Sequence, residues 1–281
     1  MRLCYQVATP DVRPAPGVTA YQGDLENAFA RLKEEGYEGA ELMVCDPAKV
    51  DAAQIERLSA RYGLAVPMVC TGEVFGQDGL TFSDPDEERR AEALRRVKAA
   101  ADLAARFGAQ INIGRVRGGY GFGLPGAPFR QRSVAGMREA ALYAQSVGVK
   151  MALEPVNSIA CNFINTTREG IDMVREIGVP SCTLMLDSNH MFIDDMDMLQ
   201  SVYDAKGLVS YVHLVDSNRL YPGNRKLDFG AFLAALRDTG YDGWLSLRTE
   251  DHVLSPGTNM ANIFIFCDCG MPDPTEREHL F

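Results

Sequence analysis

Three short stretches decide the fold: KMALEPVN at residues 150–157, TLMLDSNH at 183–190 and YVHLVDSNR at 211–219. Each is an apolar run of strand length, and near its C-terminal end stands a charged or ligating side chain: Glu154, Asp187 and His213. Apolar runs of this kind are what parallel strands covered on both faces look like. A carboxylate or imidazole at the end of such a run is out of place in a core and in place at an active site. Three of them on consecutive strands, each followed by a helical pattern, describe one mouth of a parallel barrel holding a carboxylate–carboxylate–imidazole cluster.

Outward from these stretches the pattern is strand then helix throughout. Strands are predicted near 3–8, 39–44, 65–70, 109–115, 150–156, 182–188, 209–216 and 243–249, with helices near 24–35, 51–62, 85–107, 130–147, 166–178, 194–205 and 228–239. Alternation of this kind predicts an α/β fold with a parallel sheet. Ser83-Asp84-Pro85 reads as a helix start, with Pro at the first helical position, and Thr166 with Glu169 as a capping box. GDLENAFARLKEEGYEGAEL (23–42) is echoed by LDFGAFLAALRDTGYDGWLSL (227–247). This repeat favours a closed (β/α)8 TIM barrel over an open doubly wound sheet, which would also want a Gly-rich phosphate turn after its first strand. GGYGFGLPGAP (118–128) follows strand four and reads as a flexible loop at the mouth. The expected organisation is one barrel domain over 1–250 and an irregular tail over 251–281, which replaces the last helix and is available to contact a partner.

The 281 residues carry a formal charge of -10, which argues against a nucleic-acid partner. The Arg-rich stretch 89–106 is interleaved with acids and reads as a solvated helix face. No apolar run approaches the ~18–20 residues of a membrane span. The N-terminal MRLCYQVATPDV reads as a strand rather than a signal peptide. Seven scattered cysteines, with Cys4, Cys45, Cys70 and Cys182 in predicted strands and no CxxC pair, imply a reducing, cytoplasmic setting. Cys267-Asp-Cys269 is a weaker candidate for a soft metal.

Mixed carboxylate and imidazole donors suit a hard-to-borderline divalent ion. The same segments resemble the sugar phosphate isomerase/epimerase family, the xylose isomerase-like barrels that include ketose 3-epimerases and inosose dehydratases. The resemblance covers roughly residues 1–250. Glu154 to Asn157 is similar to that family's first metal carboxylate segment, with Asn157 in the substrate-binding set. Asp187-Ser-Asn-His190 is similar to its Asp-x-x-His, in which the Asp binds metal and the His contacts substrate. His213, with Arg219 six residues on, resembles its metal histidine and substrate arginine. The resemblance implies a divalent cofactor, Mn2+ first and Co2+, Mg2+, Fe2+ or Zn2+ as alternatives. It also implies a sugar or cyclitol substrate, and proton abstraction by Glu154 beside a carbonyl through an enediolate.

The chain departs from the family at two positions. The strand-eight glutamate, both ligand and second catalytic carboxylate in epimerases, is replaced by Arg248 in GWLSLRTED, and a further ketose-epimerase glutamate by Ala160. Glu250, on the same strand face about 6–7 Å further along, is the candidate fourth ligand and second catalytic group. Without a carboxylate at 248, one-sided chemistry (isomerisation, dehydration, elimination) fits better than two-sided epimerisation. Glu73 and Arg115, at the ends of strands three and four, are candidate substrate contacts, as is Arg117 just beyond, with pairing to local acids as the alternative. Glu41 lines the barrel floor or serves the site; Trp244 reads as core. His252 and His279 fall in the tail.

The leading expectation is therefore a metal-dependent sugar isomerase, epimerase or dehydratase, acting as a homo-oligomer. One alternative is the barrel subunit of a C-glycoside-cleaving lyase, a hetero-oligomer. Another is a sugar-binding pseudoenzyme that has lost the strand-eight carboxylate. An endonuclease IV-like phosphoesterase would need many more histidines than the four present and a basic groove.

Overall fold

Alternate residues of each strand go to opposite sides of one sheet, and that sheet closes on itself. A computed structural model describes residues 1–15, 19–120, 126–223 and 226–247. Its strands are β1 (Arg2–Ala8), β2 (Gly39–Met43), β3 (Met68–Cys70), β4 (Gln110–Ile113), β5 (Met151–Leu153), β6 (Cys182–Asp187), β7 (Val209–Leu214) and β8 (Trp244–Leu247). All pair in parallel with their chain neighbours, and β8 returns to β1, with Arg2 opposite Trp244. The described helices are α1 (Leu25–Glu34), α2 (Ala52–Tyr62), α3 (Gly72–Asp78), α4 (Glu87–Phe107), α5 (Gly126–Ser146), α6 (Thr167–Ile177), α7 (Ser188–Asp194), α8 (Met198–Asp204) and α9 (Phe229–Asp238). The echoed segments form α1–β2 and α9–β8, the units on either side of β1.

The main core lies between sheet and helices. Leu3, Tyr5, Leu42, Ile111, Leu153, Leu184, Val212 and Leu245 face outward into it. The lumen holds a smaller, separate apolar layer of Cys4, Met68, Ala152, Met185, Tyr211 and Trp244. Trp244 is therefore core, with Arg2 stacked over its ring at 4.2 Å. Gly39 lets the indole lie against β2, since a Cβ there would sit 2.9 Å from Trp244 Cζ3. Above this layer the inward positions turn polar: Gln6, Glu41, Asn112, Asp187, His213 and Ser246 are all buried.

Several boundaries differ from the sequence reading. β3 begins at Met68 and β5 ends at Leu153, because Pro67 and Pro155 cannot donate to a ladder. α4 starts at Glu87, capped by Asp86, whose carboxylate accepts from the Glu88 and Arg89 backbones. Asp84 instead accepts from the Asp86 N–H and from Arg89, so Pro85 stays outside the helix. α5 starts at Gly126 rather than near 130, and α8 at Met198 rather than 194. The short helices α3 and α7 escaped the sequence pattern because neither is long enough to show a period. The Thr166–Glu169 capping box forms as read. Cys4, Cys45, Cys70 and Cys182 are buried, though Cys45 lies just past β2. Burial pushes the Cys182 thiol up to about 12, so it behaves as a small apolar group. No helix among the described residues is long and apolar enough to cross a membrane.

Two of the arginines read as a solvated face brace the barrel instead. Arg96 Nη1 donates to Asp78 Oδ2 at 2.6 Å and to the Cys45 carbonyl at 3.1 Å, and its Nε donates to Glu92. Arg95 bridges Glu92 and Asp46. Partial burial works against charge on Asp78, but hydrogen bonds from Arg96 and Arg13 outweigh it and lower its pKa from 3.8 to about 2. A depressed carboxylate stabilises the fold above its unfolded pKa and loses that contribution as pH falls toward the folded value. Urea titrations should therefore show stability falling between pH 4 and 2, with Arg96→Met less stable at pH 5 but converging on wild type near pH 2. Parallel curves for the two proteins would remove this pair from the acid response.

Candidate active site

The polar upper lumen is assembled by strand ends. Glu154 directly follows β5 and extends its ladder by one bond, from its N–H to the Ile113 carbonyl at 3.0 Å. Asp187 closes β6 and is at once the N-cap of α7, its Oδ1 accepting from Asn189 N at 2.8 Å and His190 N at 3.1 Å. The chain thus passes from strand to helix with no loop, and His190 is placed one turn on. His213 lies opposite Asp187 in the β6–β7 ladder, after a register shift in which Leu184 faces Val209 but Met185 faces Tyr211. That irregularity turns Tyr211 and His213 inward.

One atom of each group is anchored and another faces the centre. Glu154 Oε2 accepts from Asn112 Nδ2 at 3.1 Å, and Asn112 is oriented by accepting from the Thr71 N–H at 2.8 Å. His213 Nε2 lies 3.0 and 3.1 Å from the Glu41 oxygens, so it carries the proton. His213 Nδ1 is then a lone pair; it is buried, makes no hydrogen bond, and faces Glu154 Oε1 at 3.5 Å and Asp187 Oδ2 at 3.7 Å. Glu41 is itself held by Gln6 Nε2 at 2.7 Å and the Tyr211 hydroxyl at 3.0 Å. His190 is wired the other way. Asn157 Oδ1 accepts from the Ala160 N–H, which leaves its Nδ2 to donate to His190 Nδ1 at 2.8 Å. Neutral His190 therefore carries its proton on Nε2, 3.9 Å from both Glu154 Oε1 and Asp187 Oδ2.

Donor atoms of Glu154, Asp187 and His190 lie within 4.8 Å of one another, and His213 Nδ1 closes the group from below. Carboxylate oxygens and an imidazole lone pair at these separations fit one divalent ion. His213 matches a ligand because its Nδ1 lone pair faces the carboxylates, whereas His190 faces them with Nε2–H and matches a hydrogen-bond donor. The charges agree with a cation. Burial disfavours charge on Glu41, yet His213 and Gln6 hold its carboxyl below the usual range. Burial also opposes charge on His213, but Glu41, Asp187 and Glu154 outweigh it and raise its pKa well above the ordinary value, so that Nδ1 attracts either a second proton or, in its place, a cation. Three buried carboxylates thus surround a single imidazole.

Glu154 and His190 line a cavity of about 550 Å³, with Asp187 and His213 buried next to them. Glu73, Arg115, Asn157, His190 and Arg219 all line it, as does Ala160, so the structure brings the sequence-predicted substrate contacts to one cavity. Glu73 sits in the first turn of α3 rather than at a strand end. Arg219 takes a left-handed backbone (φ 63°) and donates to Asn189 Oδ1 at 3.3 Å. A Cβ at Gly114 would lie 2.9 Å from Glu154 Oε2, so glycine leaves the carboxylate its room. Arg248 and Glu250 lie outside the described residues, as do Cys267, Cys269, His252 and His279.

Arg117 is not a substrate contact. It is fully buried and donates to the carbonyls of Gly114, Glu154, Phe163 and Ile164. Its guanidinium therefore fixes the backbone that carries Glu154, and no local acid supplies its hydrogen bonds. The residues missed from sequence are Asn112, Gln6 and Tyr211. Gln110 and Asn112 stand at period two in QINI, which is the signal that could have found Asn112.

Fold and donor set define a (β/α)8 barrel with a buried carboxylate–imidazole centre at the C-terminal mouth. A family model for the xylose isomerase-like TIM barrel matches residues 29–264, and the chain belongs to that family. It is 31% identical over 231 residues to an L-ribulose 3-epimerase of Mesorhizobium japonicum, covering 81% of this chain and 76% of that one. It is 29% identical over 240 residues to a 3-dehydro-D-guloside 4-epimerase of Escherichia coli, covering 79% and 87%. A solved D-allulose 3-epimerase from Methylomonas sp., in complex with D-allulose, superposes with TM-score 0.75 and 26% identity, covering 94% of this chain and 90% of that one. These relatives are sugar epimerases.

Replacing Arg117 leaves four buried carbonyls short of a charged donor, each such bond contributing about 1.5–3 kcal/mol. Arg117→Met should cost more than about 3 kcal/mol in urea unfolding, among the largest single-residue effects. A loss below about 1 kcal/mol would mean that the carbonyls find other partners.

Proposed function

We propose that the chain is a divalent-metal-dependent sugar isomerase or epimerase that removes a proton from the carbon beside a substrate carbonyl. The observation that carries this reading is the convergence of Glu154 Oε1 and Asp187 Oδ2 on His213 Nδ1 at 3.5 and 3.7 Å, beside a ligand-sized cavity that Glu154 lines. Glu154, Asp187 and His213 would hold the ion, with Glu250 as the proposed fourth ligand. Mn2+ is the expected occupant, which when bound would polarise the carbonyl and acidify the neighbouring C–H.

Glu154 is the base. Asn112 holds its carboxylate edge-on to the cavity, and Arg117 holds its backbone. His190, fixed as the Nε2–H tautomer by Asn157, donates to a substrate oxygen and stabilises the negative charge that develops there. Arg219 and Arg115 hold outer hydroxyls. For epimerisation Glu250 would return the proton to the opposite face; with Arg248 in the strand-eight ligand position, return by Glu154 to a neighbouring carbon is the simpler route. The Glu-to-Arg exchange at 248 also favours a second reading, a sugar-binding protein without turnover.

Protein purified in Mn2+ should retain close to one equivalent after dialysis. Metal retained only by Arg248→Glu would select the second reading. With D-fructose, D-allulose and L-ribulose as probes in D2O, Glu154→Gln should slow exchange of the carbon-bound hydrogen by about 10²–10⁴-fold, the range for a lost general base. Unchanged exchange would exclude Glu154 from the role. Glu41→Gln removes the anion that sets the His213 tautomer, and by calorimetry should weaken Mn2+ binding about 10–100-fold, as losses of such partners do. Equal Mn2+ affinity would make Glu41 a packing residue.

A further inference from the structure

A second cavity, of about 430 Å³, adjoins the first and shares with it a wall made by Arg115, Ile159 and Ala160. Its lining includes three aromatic rings, Phe75, Tyr120 and Phe129. The polar groups among them are already committed within the protein. Asn162 exchanges two bonds with the Tyr120 backbone, Ser83 bonds Gly119, and Ser158 bonds Asp194. The lining offers aromatic and apolar surface, and the Arg115 guanidinium stacks over Phe75 at 5.1 Å.

The shared wall is low. Ile159 is 83% exposed, an apolar side chain left in water at the junction of two cavities. Beside it Ala160 stands where the family resemblance expects a glutamate, so no long side chain rises between the two spaces. Each cavity falls in the size range of a small-molecule pocket, and together they exceed what one sugar ring fills.

We infer that the cavity of Phe75, Tyr120, Phe129 and Ile159 is a subsite for a second ring attached to the reacting sugar, so that the substrate class is a glycoside whose reacting ring carries a ketone rather than a free monosaccharide. The inference rests on the sugar reading of the inner site. The reacting ring lies against Glu154 and His190; the attached ring crosses over Ala160, covers Ile159 and packs against Phe75 and Phe129. Aromatic faces and one guanidinium recognise a flat ring by stacking. An aryl group and the apolar face of a second sugar share that chemistry.

Calorimetry on the full chain, with no turnover needed, tests this with methyl β-D-glucopyranoside, phenyl β-D-glucopyranoside and cellobiose. The phenyl glycoside, cellobiose or both should bind at least tenfold more tightly than the methyl glycoside, and which one gains identifies an aryl group or a second sugar. That gain should fall in Phe75→Ala or in Ile159→Ser, while methyl glycoside binding is unmoved. Because Ile159 is exposed, Ile159→Ser keeps the test valid if Phe75→Ala disturbs the fold. Equal or undetectable binding of all three probes, or a gain that survives both substitutions, overturns the subsite. A ring-dependent gain in a protein whose proton exchange ignores Glu154→Gln would leave the subsite standing and remove the catalytic reading.

Discussion

The contact between Glu41 and His213 organises the upper barrel. It joins β2 to β7 across the lumen, with Nε2 3.0 Å from a carboxylate that neither solvent nor substrate reaches. An imidazole has one proton to give when neutral, and giving it downward leaves the lone pair upward. Every other polar group then falls into order around that lone pair. Glu154 and Asp187 meet it from neighbouring strands, and Gln6 and Tyr211 complete the shell beneath it. A carboxylate buried at this depth would be destabilising by itself. Hydrogen bonds from Gln6, Tyr211 and His213 make it tolerable, and the barrel gains a fixed electrostatic floor.

Stability and chemistry are separated in space. The sheet's outer face and the helices hold most of the apolar contact, and the lowest lumen layer closes the bottom. The mouth is therefore free to carry charge. Arg117 shows how closely the two still meet: a cation among backbone carbonyls, it braces the strand end that carries Glu154 while making no use of its charge in the cavity. His190 and His213 show that two imidazoles in the same Nε2–H tautomer can turn opposite edges to one centre, an N–H from the first and a lone pair from the second.

The architecture was legible because parallel strands and their crossover helices write two different periods into the chain. Glu154, Asp187 and His213 stood out as chemistry at the ends of apolar runs, and they do lie together. Strand ends were less legible, since apolar residues continue beyond the paired ones and only Pro67, before β3, and Pro155, after β5, mark a boundary. α7 was invisible: its cap is Asp187, which the sequence offers first as a strand-end carboxylate. Arg117 looked like a neighbour of substrate because nothing in one dimension distinguishes a guanidinium facing a cavity from one facing carbonyls. Asn112 and Gln6 were overlooked because neutral amides inside strands carry little signal until their partners are known.

The shift between Leu184 and Met185 on one strand and Val209 and Tyr211 on the next has a genetic corollary. Side chains alternate along β7, so what reaches the lumen is decided by parity rather than by identity. A one-residue deletion or insertion before Tyr211 would deliver His213 to the helix layer and an aliphatic neighbour to the lumen, with every donor residue still encoded. Substitutions in this segment can be gradual in effect; frame-preserving length changes cannot. Lineages carrying this centre should therefore vary freely in the length of the loops on either side of β7 and hardly at all within it.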